Sequence, residues 1–157
     1  MKRTLHRAAG MLSTALIATF WLSTMISEIF LSRDAIWIVK NGIAYALFAF
    51  VPIMMVAGGS GFILGGKSTH PRIVAKRRRM PFIAMNGLLV LVPSAIFLAD
   101  KANAGEFDAL FYNVQVLELL AGAANLTLMG LNIRDGLHLL DGGVPSTHQK
   151  ETSLESP

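Results

Sequence analysis

The residues of this sequence that could do chemistry include two glutamates in long apolar segments. Glu118 lies inside the apolar stretch 110–133, and Glu28 lies near the end of the stretch 8–31. A carboxylate is costly to keep ionised in hydrocarbon, so these residues are candidates for a proton relay or an ion site, where two carboxyls could share a proton or hold a cation. The competing interpretation, which we favour, is a protonated Glu118 that hydrogen-bonds Gln115, Asn41 or a backbone carbonyl and stabilises the helix packing.

Further polar side chains share one face of the segment that carries Glu118. At 100° per residue, they fall within about 100° of arc, which is the width of one helix face. Polar groups cannot face hydrocarbon without a hydrogen-bond partner, so we expect this face to turn toward the other helices. The predicted intramembrane polar stripe comprises Gln115, Glu118, Asn125 and Asn132 on this face, and Glu28, Asn41 and Asn86 as their partners.

Basic residues form a dense cluster in the segment 66–79. Each basic residue next to an anionic membrane surface gains about 1 kcal/mol from the lipid headgroups. We interpret the segment as a cytoplasmic loop that sets the topology and binds anionic lipid, or alternatively an acidic partner. Nucleic acid is not expected, because no aromatic platform or recognition helix accompanies the charges. The basic residues are Lys67, Arg72, Lys76, Arg77, Arg78 and Arg79.

Histidines raise the question of a haem. Haem b between membrane helices is normally held by histidines on the helix interiors, whereas His6, His70 and His138 all lie at the ends of the apolar stretches. A haem between His6 and one of the other two is an alternative. The default prediction is that these histidines hold no ligand, with no cofactor and no metal site.

One motif match is rejected. Residues 61–68 read Gly-Phe-Ile-Leu-Gly-Gly-Lys-Ser, which satisfies the pattern of a phosphate-binding loop. That loop needs a strand before it and a helix after it, whereas here an apolar helix precedes the motif and His-Pro follows. With no catalytic residues indicated, we favour a protein that is not an enzyme.

The composition determines which elements must position these residues. The 157-residue chain is 53% hydrophobic and 15% charged and contains no Cys, which is typical of a membrane protein and excludes disulfides. A helix needs about 20 apolar residues to cross the hydrocarbon core. Four stretches are long enough, at about 8–31, 36–64, 80–99 and 110–133, with Pro81 in the first turn of the third.

The basic residues also orient these predicted spans. Of the 14 Lys and Arg residues, all but Arg33, Lys40 and Lys101 lie at the N-terminus, in the segment 66–79 or after the fourth span. We assign those three to the outer loops, with Lys40 just before the charge-free part of the second span, Gly42 to Leu64, and after a turn at the membrane interface. The positive-inside rule then places both termini in the cytoplasm, in agreement with an even number of spans.

The sequence therefore predicts an all-α polytopic membrane protein. Residues 1–140 are expected to form a bundle of four transmembrane helices in a bacterial inner membrane, and residues 141–157 a disordered cytoplasmic tail. We expect a non-enzymatic accessory subunit or helper, in a larger membrane complex or a homo-oligomer. The alternative is a proton- or ion-coupled carrier, or an electron-transfer subunit with a b-type haem or quinone, that uses the intramembrane carboxylates.

Overall fold

Regular structure in this protein is helical throughout the part of the chain that the computed structural model describes, residues 2–65 and 71–141. Lys67, His70 and residues 142–157 of the predicted tail lie outside these ranges. A π-helical segment, Gly87–Leu91, joins α3 to α4. The α-helices are α1 (Lys2–Phe30), α2 (Arg33–Gly65), α3 (Pro71–Asn86), α4 (Val92–Asn103) and α5 (Ala109–Asp141).

Four helical stretches are long and apolar enough to cross a membrane. They are Thr4–Phe30, Arg33–Gly61, Pro71–Asn103 and Ala109–His138, of which the third runs through α3, the π-helical segment and α4. Within the described residues, the prediction of an all-helical fold with four such helices is confirmed. The described part of the chain is therefore compatible with a multi-pass membrane protein.

The third stretch begins earlier than expected. Pro71 opens α3, and Pro81 lies inside the helix rather than in its first turn. Residues 71–79, expected as part of a basic loop, are helical. The physical reason is that proline suits the first helical turn, where its missing N–H is not needed, and that Lys and Arg are good helix formers.

Pro93 accounts for the π-helical segment. Proline has no N–H, so it cannot donate to the carbonyl of Leu89 four residues earlier. The N–H of Val92 donates to the carbonyl oxygen of Gly87, five residues back, which is the π-helical pattern. The chain thus continues as a helix past Pro93 into α4.

Two short connections lie at the same end of the molecule. Leu31 and Ser32 join α1 to α2, and residues 104–108 join α4 to α5, with Gly105 in the left-handed conformation at φ +70°. A hydrogen bond from Trp37 Nε1 to Asn103 Oδ1 of 2.7 Å holds the two connections side by side. We call this end the loop end, and the opposite end, where α1 and α3 begin and α5 finishes, the terminal end.

The helices pack through two apolar clusters, while large apolar side chains also cover the outside. One cluster contains Ile36, Leu98, Ala102 and Phe111 near the loop end, and the other contains Ile17, Phe50, Ile83 and Met129 farther along the helices. On the outer face of α2, Tyr45 is 73% exposed and Phe48 is 82% exposed. Such a surface suits a hydrocarbon solvent rather than water.

Candidate functional site

A buried ion pair joins α2 to α5 near the loop end. Lys40 Nζ lies 2.7 Å from Glu118 Oε2, and none of the Lys40 side chain is exposed. Gln115 Nε2 donates a longer hydrogen bond to the same oxygen, at 3.2 Å. Lys40 is seven residues after the start of α2 and Glu118 nine after the start of α5. At 1.5 Å per residue these charges lie about 10–14 Å along their helices, well inside the apolar stretches.

Glu28 brings a second carboxyl to this ion pair from α1. The residue is half-buried, and it interacts electrostatically with both Lys40 and Glu118. Its Oε1 atom and Gln115 Oε1 are both buried and have no hydrogen-bond partner among the described residues. Glu28, Lys40, Gln115 and Glu118 together are called the loop-end cluster below. The cluster holds two carboxyls for one ammonium, and two of its buried oxygens lack a donor.

Helix periodicity explains why these side chains meet. Lys40 is four residues after Ile36 and three before Ile43, and both isoleucines are buried, so Lys40 lies on the inward face of α2. Gln115 and Glu118 are three residues apart on α5 and share a face in the same way. Sequence reasoning missed Lys40 because it was assigned to a loop. The pattern that could have identified Lys40 is its helical spacing from the apolar residues Ile36 and Ile43, which places it on the same face of the helix.

A small cavity lies against Glu118, with a volume of about 50 Å³. Its walls come from α1, α2, α5 and the junction of the π-helical segment with α4, and they include Trp21, Phe50 and Leu91. Trp21 Nε1 donates to the carbonyl oxygen of Leu119 at 2.9 Å, which fixes the indole ring at the edge of the cavity. The space is large enough for a water molecule, but its walls are almost entirely apolar and offer such a water few polar partners.

Asn125, midway along α5, pairs with α3 instead of with the loop-end cluster. Asn86 Nδ2 donates to Asn125 Oδ1 at 2.9 Å and to the Ala121 carbonyl at 2.8 Å, and Asn125 Nδ2 donates to the Ile83 carbonyl at 3.3 Å. An added Cβ at the nearby Gly87 would lie 3.7 Å from Asn125 Nδ2, an ordinary van der Waals distance, and 2.7 Å from Met54 Cε, which is its close neighbour. The two amides therefore hydrogen-bond each other and backbone carbonyls, as expected of a contact that holds two helices together.

A second ion pair joins α3 to α5 at the terminal end. Arg79 Nη1 lies 2.6 Å from Asp135 Oδ2 and donates to Asn132 Oδ1 at 3.4 Å. Arg134 adds a longer contact to the same carboxylate, at 3.7 Å. From the sequence, Arg79 is predicted among the lipid-binding residues and Asn132 in the polar stripe. The structure brings them together, and Asp135 is the partner that sequence reasoning missed.

The other described basic residues of segment 66–79 lie along the first half of α3. Arg78 is exposed and lines a surface hollow with Pro71, Val74, Ala75 and Arg79. The side chain of Lys76 extends to α5. Its Nζ atom lies close to Gly136, where an added Cβ would be 3.7 Å away. Arg72 and Arg77 take part in further interactions. Binding of anionic lipid or of an acidic partner by these residues stays a prediction.

Asn41 does not contact Glu118, which differs from the expected partnership. Its Nδ2 atom donates to the Trp37 carbonyl and to Asn103 Oδ1, both at 3.0 Å. The physical reason is helix geometry, since adjacent residues point about 100° apart. Lys40 is turned toward α5, and Asn41 is turned toward α4.

His6 links α1 to α2 near the terminal end. Its Nδ1 atom donates to the Ala57 carbonyl at 3.1 Å and lies 3.1 Å from Ser60 Oγ. His138 is exposed near the end of α5. Within residues 2–65 and 71–141, no group of three or more His, Asp or Glu side chains could hold a metal ion. A haem on His6 stays a prediction.

Comparison of the chain with known proteins identifies no family. No protein family model, curated protein or solved structure matches the chain. The loop-end cluster is therefore the feature from which a function can be derived.

Proposed function

We propose that this protein is a small multi-pass protein of a bacterial cytoplasmic membrane that acts as a non-enzymatic accessory subunit or helper of a larger membrane complex. In this proposal the helices form a four-helix transmembrane bundle, with both termini in the cytoplasm and the loop end outside. The basic residues of α3 support this orientation, because they would meet anionic headgroups at the cytoplasmic surface.

The observation that carries the proposal is the ion pair between Lys40 and Glu118. Its two charges neutralise each other and fix α2 against α5 at a depth where neither charge could be solvated by water. A buried ion pair of this kind adds little to stability relative to apolar residues, but it can impose one arrangement of the helices. A fixed arrangement is what a subunit needs in order to present the same surface to a partner.

The test compares the wild-type chain with the double variant Lys40→Met, Glu118→Leu in its native membrane. If the ion pair fixes the helices for a partner, the wild-type chain gives defined cross-linked neighbours, and the double variant accumulates to the wild-type level but loses them. A wild-type chain without cross-linked neighbours contradicts the accessory function, and a double variant that keeps the same neighbours contradicts the role of the ion pair. A reporter fused after Pro157 tests the orientation, and activity of that reporter in the periplasm contradicts it.

The second candidate function is a proton- or ion-coupled carrier. The observation that favours it is the pair of carboxyls, Glu28 and Glu118, next to one ammonium and a cavity. Replacement of Glu118 by Gln keeps its shape and removes its titration. If the Glu118→Gln variant folds and functions normally across the pH range, this candidate fails.

The electron-transfer alternative has its own test in the absorption spectrum of the purified protein. A Soret band that disappears in His6→Ala would support a b-type haem. A wild-type protein purified without a Soret band, from cells that supply haem, would contradict the haem.

A further inference from the structure

The formal charges of the loop-end cluster do not cancel. With every group ionised, Glu28 and Glu118 carry two negative charges against the single positive charge of Lys40. The Lys40 side chain is completely buried, Glu118 is 11% exposed, and Glu28 is half-buried with a buried Oε1 atom that has no partner among the described residues, so the surplus charge is poorly solvated. A buried charge without a counter-ion is normally removed by binding a proton or a cation.

The hydrogen bonds of the cluster show the same imbalance. Glu28 Oε1 and Gln115 Oε1 are buried without a partner among the described residues, and Gln115 as a whole is only 3% exposed. Both atoms are acceptors, so the cluster lacks donors rather than acceptors. An ionised carboxylate only accepts hydrogen bonds, whereas a carboxylic acid also donates one. One added proton would supply both the missing positive charge and a missing donor.

The helices around Glu28 show which charges face it. α1 packs against α2 and α5, which contribute Lys40 and Glu118. α4, which packs against those two helices, carries Asp100, exposed at the loop end, and Lys101.

The other cationic side chains at the loop end already interact with other partners. Lys101 is bound to Glu106 at 2.6 Å and to Asp108 at 2.9 Å. Arg33 stacks over the ring of Phe107, with its guanidinium carbon 5.5 Å from the ring centre. Lys40 is therefore the one ammonium that acts on both carboxyls of the cluster, within the described part of the chain.

We propose that the loop-end cluster is a binding site for one proton, carried by Glu28 while Glu118 remains ionised against Lys40. A sodium ion is the less suitable ligand, because the ammonium of Lys40 already occupies one oxygen of Glu118 and repels a second fixed cation. This site goes beyond the proposed accessory function and does not depend on the identity of any partner.

The proposal fixes the number of protons that each variant holds. Glu28→Gln leaves one carboxylate and one ammonium, so that variant holds no proton at the cluster. Glu118→Gln also holds none, because Glu28 then becomes the counter-ion of Lys40. Lys40→Met leaves two carboxyls without a cation, so both bind a proton.

The experiment is infrared spectroscopy of the purified chain in vesicles of neutral phosphatidylcholine at neutral pH, which reads the carbonyl band of a protonated carboxylic acid. We expect one equivalent in the wild type, none in Glu28→Gln or Glu118→Gln, and two in Lys40→Met. Glu106→Gln, which changes an exposed carboxylate of the connection between α4 and α5, is the control and should keep one equivalent.

Three outcomes would overturn the proposal. They are a wild-type protein without the band, a band that persists in Glu28→Gln, and a band that added sodium removes at constant pH. Glu28→Gln retains the ion pair between Lys40 and Glu118, so the test holds even if Lys40→Met does not fold. A wild-type chain without cross-linked neighbours would contradict the accessory function and would leave this proton count unaffected.

Discussion

Lys40 Nζ lies 2.7 Å from Glu118 Oε2, although the two residues are 78 positions apart in the chain. The contact closes α5 onto α2, and Gln115 is the additional donor to the same carboxylate oxygen. Because the Lys40 side chain is fully buried, removing either charge costs free energy, since the remaining group must be neutralised in another way, by a proton on Glu118 or by Glu28 beside Lys40.

The first prediction concerns the loss of one partner from this ion pair. We expect Lys40→Met to lower the free energy of unfolding by about 3–5 kcal/mol, as found when one member of a buried pair is removed. Denaturant titration in mixed micelles, followed by circular dichroism, measures the change. Lys101→Met is the matched control, because Lys101 pairs with exposed carboxylates and exposed pairs contribute little. Equal losses in the two variants would show that the buried pair has no special role.

The sequence predicted the helices of this protein well because length and apolar content are enough to identify them. Glu118, Asn125 and Asn132 were placed on one face of the fourth helix, and the structure buries that face against the other helices. The start of the third stretch was less accurate. A basic segment before an apolar one can be a loop or a helix, and the structure shows that it is a helix, with α3 beginning at Pro71 and Arg79 contacting α5.

The pairing of polar residues could not be predicted from one sequence. Lys40 and Asn41 are neighbours in the chain, yet the first contacts α5 and the second contacts α4. Which residue faces which helix depends on the rotation of α2 about its axis, and a rotation of 100° exchanges them. Composition and charge do not determine that rotation. The packing of buried residues such as Ile36 and Ile43 determines it.

The second prediction concerns the amide contact between α3 and α5. Asn125→Ala removes the acceptor of one Asn86 hydrogen bond and the donor to the Ile83 carbonyl. We expect a loss of about 1 kcal/mol in the free energy of unfolding, because interhelical hydrogen bonds in membranes contribute about that much. Thr127→Ala is the control, since the Thr127 hydroxyl is exposed and bonds only its own helix, at Ala123. A stability for Asn125→Ala equal to that of the control would count against the contact.

The third prediction concerns the close approach of α1 to α5 at Gly122. A Cβ at this position would lie 2.9 Å from Trp21 Cδ1, and the indole cannot move away without losing its hydrogen bond to Leu119. We expect Gly122→Ala to lower the free energy of unfolding by about 1–3 kcal/mol, the usual range for overpacking.

Gly130→Ala is the control for this substitution on the same helix. A Cβ at Gly130 meets nothing within 4 Å, so the variant should gain up to about 1 kcal/mol from its better helix propensity. In a Trp37→Phe background, the fluorescence of Trp21 should shift in Gly122→Ala and stay unchanged in Gly130→Ala. Unchanged fluorescence in both variants would refute the close approach.

The fourth prediction is a pH dependence at the start of α5. Asp108 accepts hydrogen bonds from Lys101 Nζ at 2.9 Å and from the Phe111 N–H at 2.8 Å, and these two bonds, the first above all, lower the pKa of its carboxyl. Asp108 therefore contributes stability that is complete above its unfolded pKa, about 3.9. That contribution is lost as the pH falls through the lower pKa of the folded state.

Hydrogen exchange of the Phe111 amide measures this contribution directly. We expect its protection factor to be constant at neutral pH and to fall on acidification below the unfolded pKa of Asp108. Asp108→Asn keeps a side-chain oxygen that can accept the Phe111 N–H but cannot form the ion pair with Lys101, so its protection should start lower and change less with pH. Identical acid profiles in the wild type and in Asp108→Asn would mean that another group causes the loss, because the variant has no carboxyl to protonate at this position.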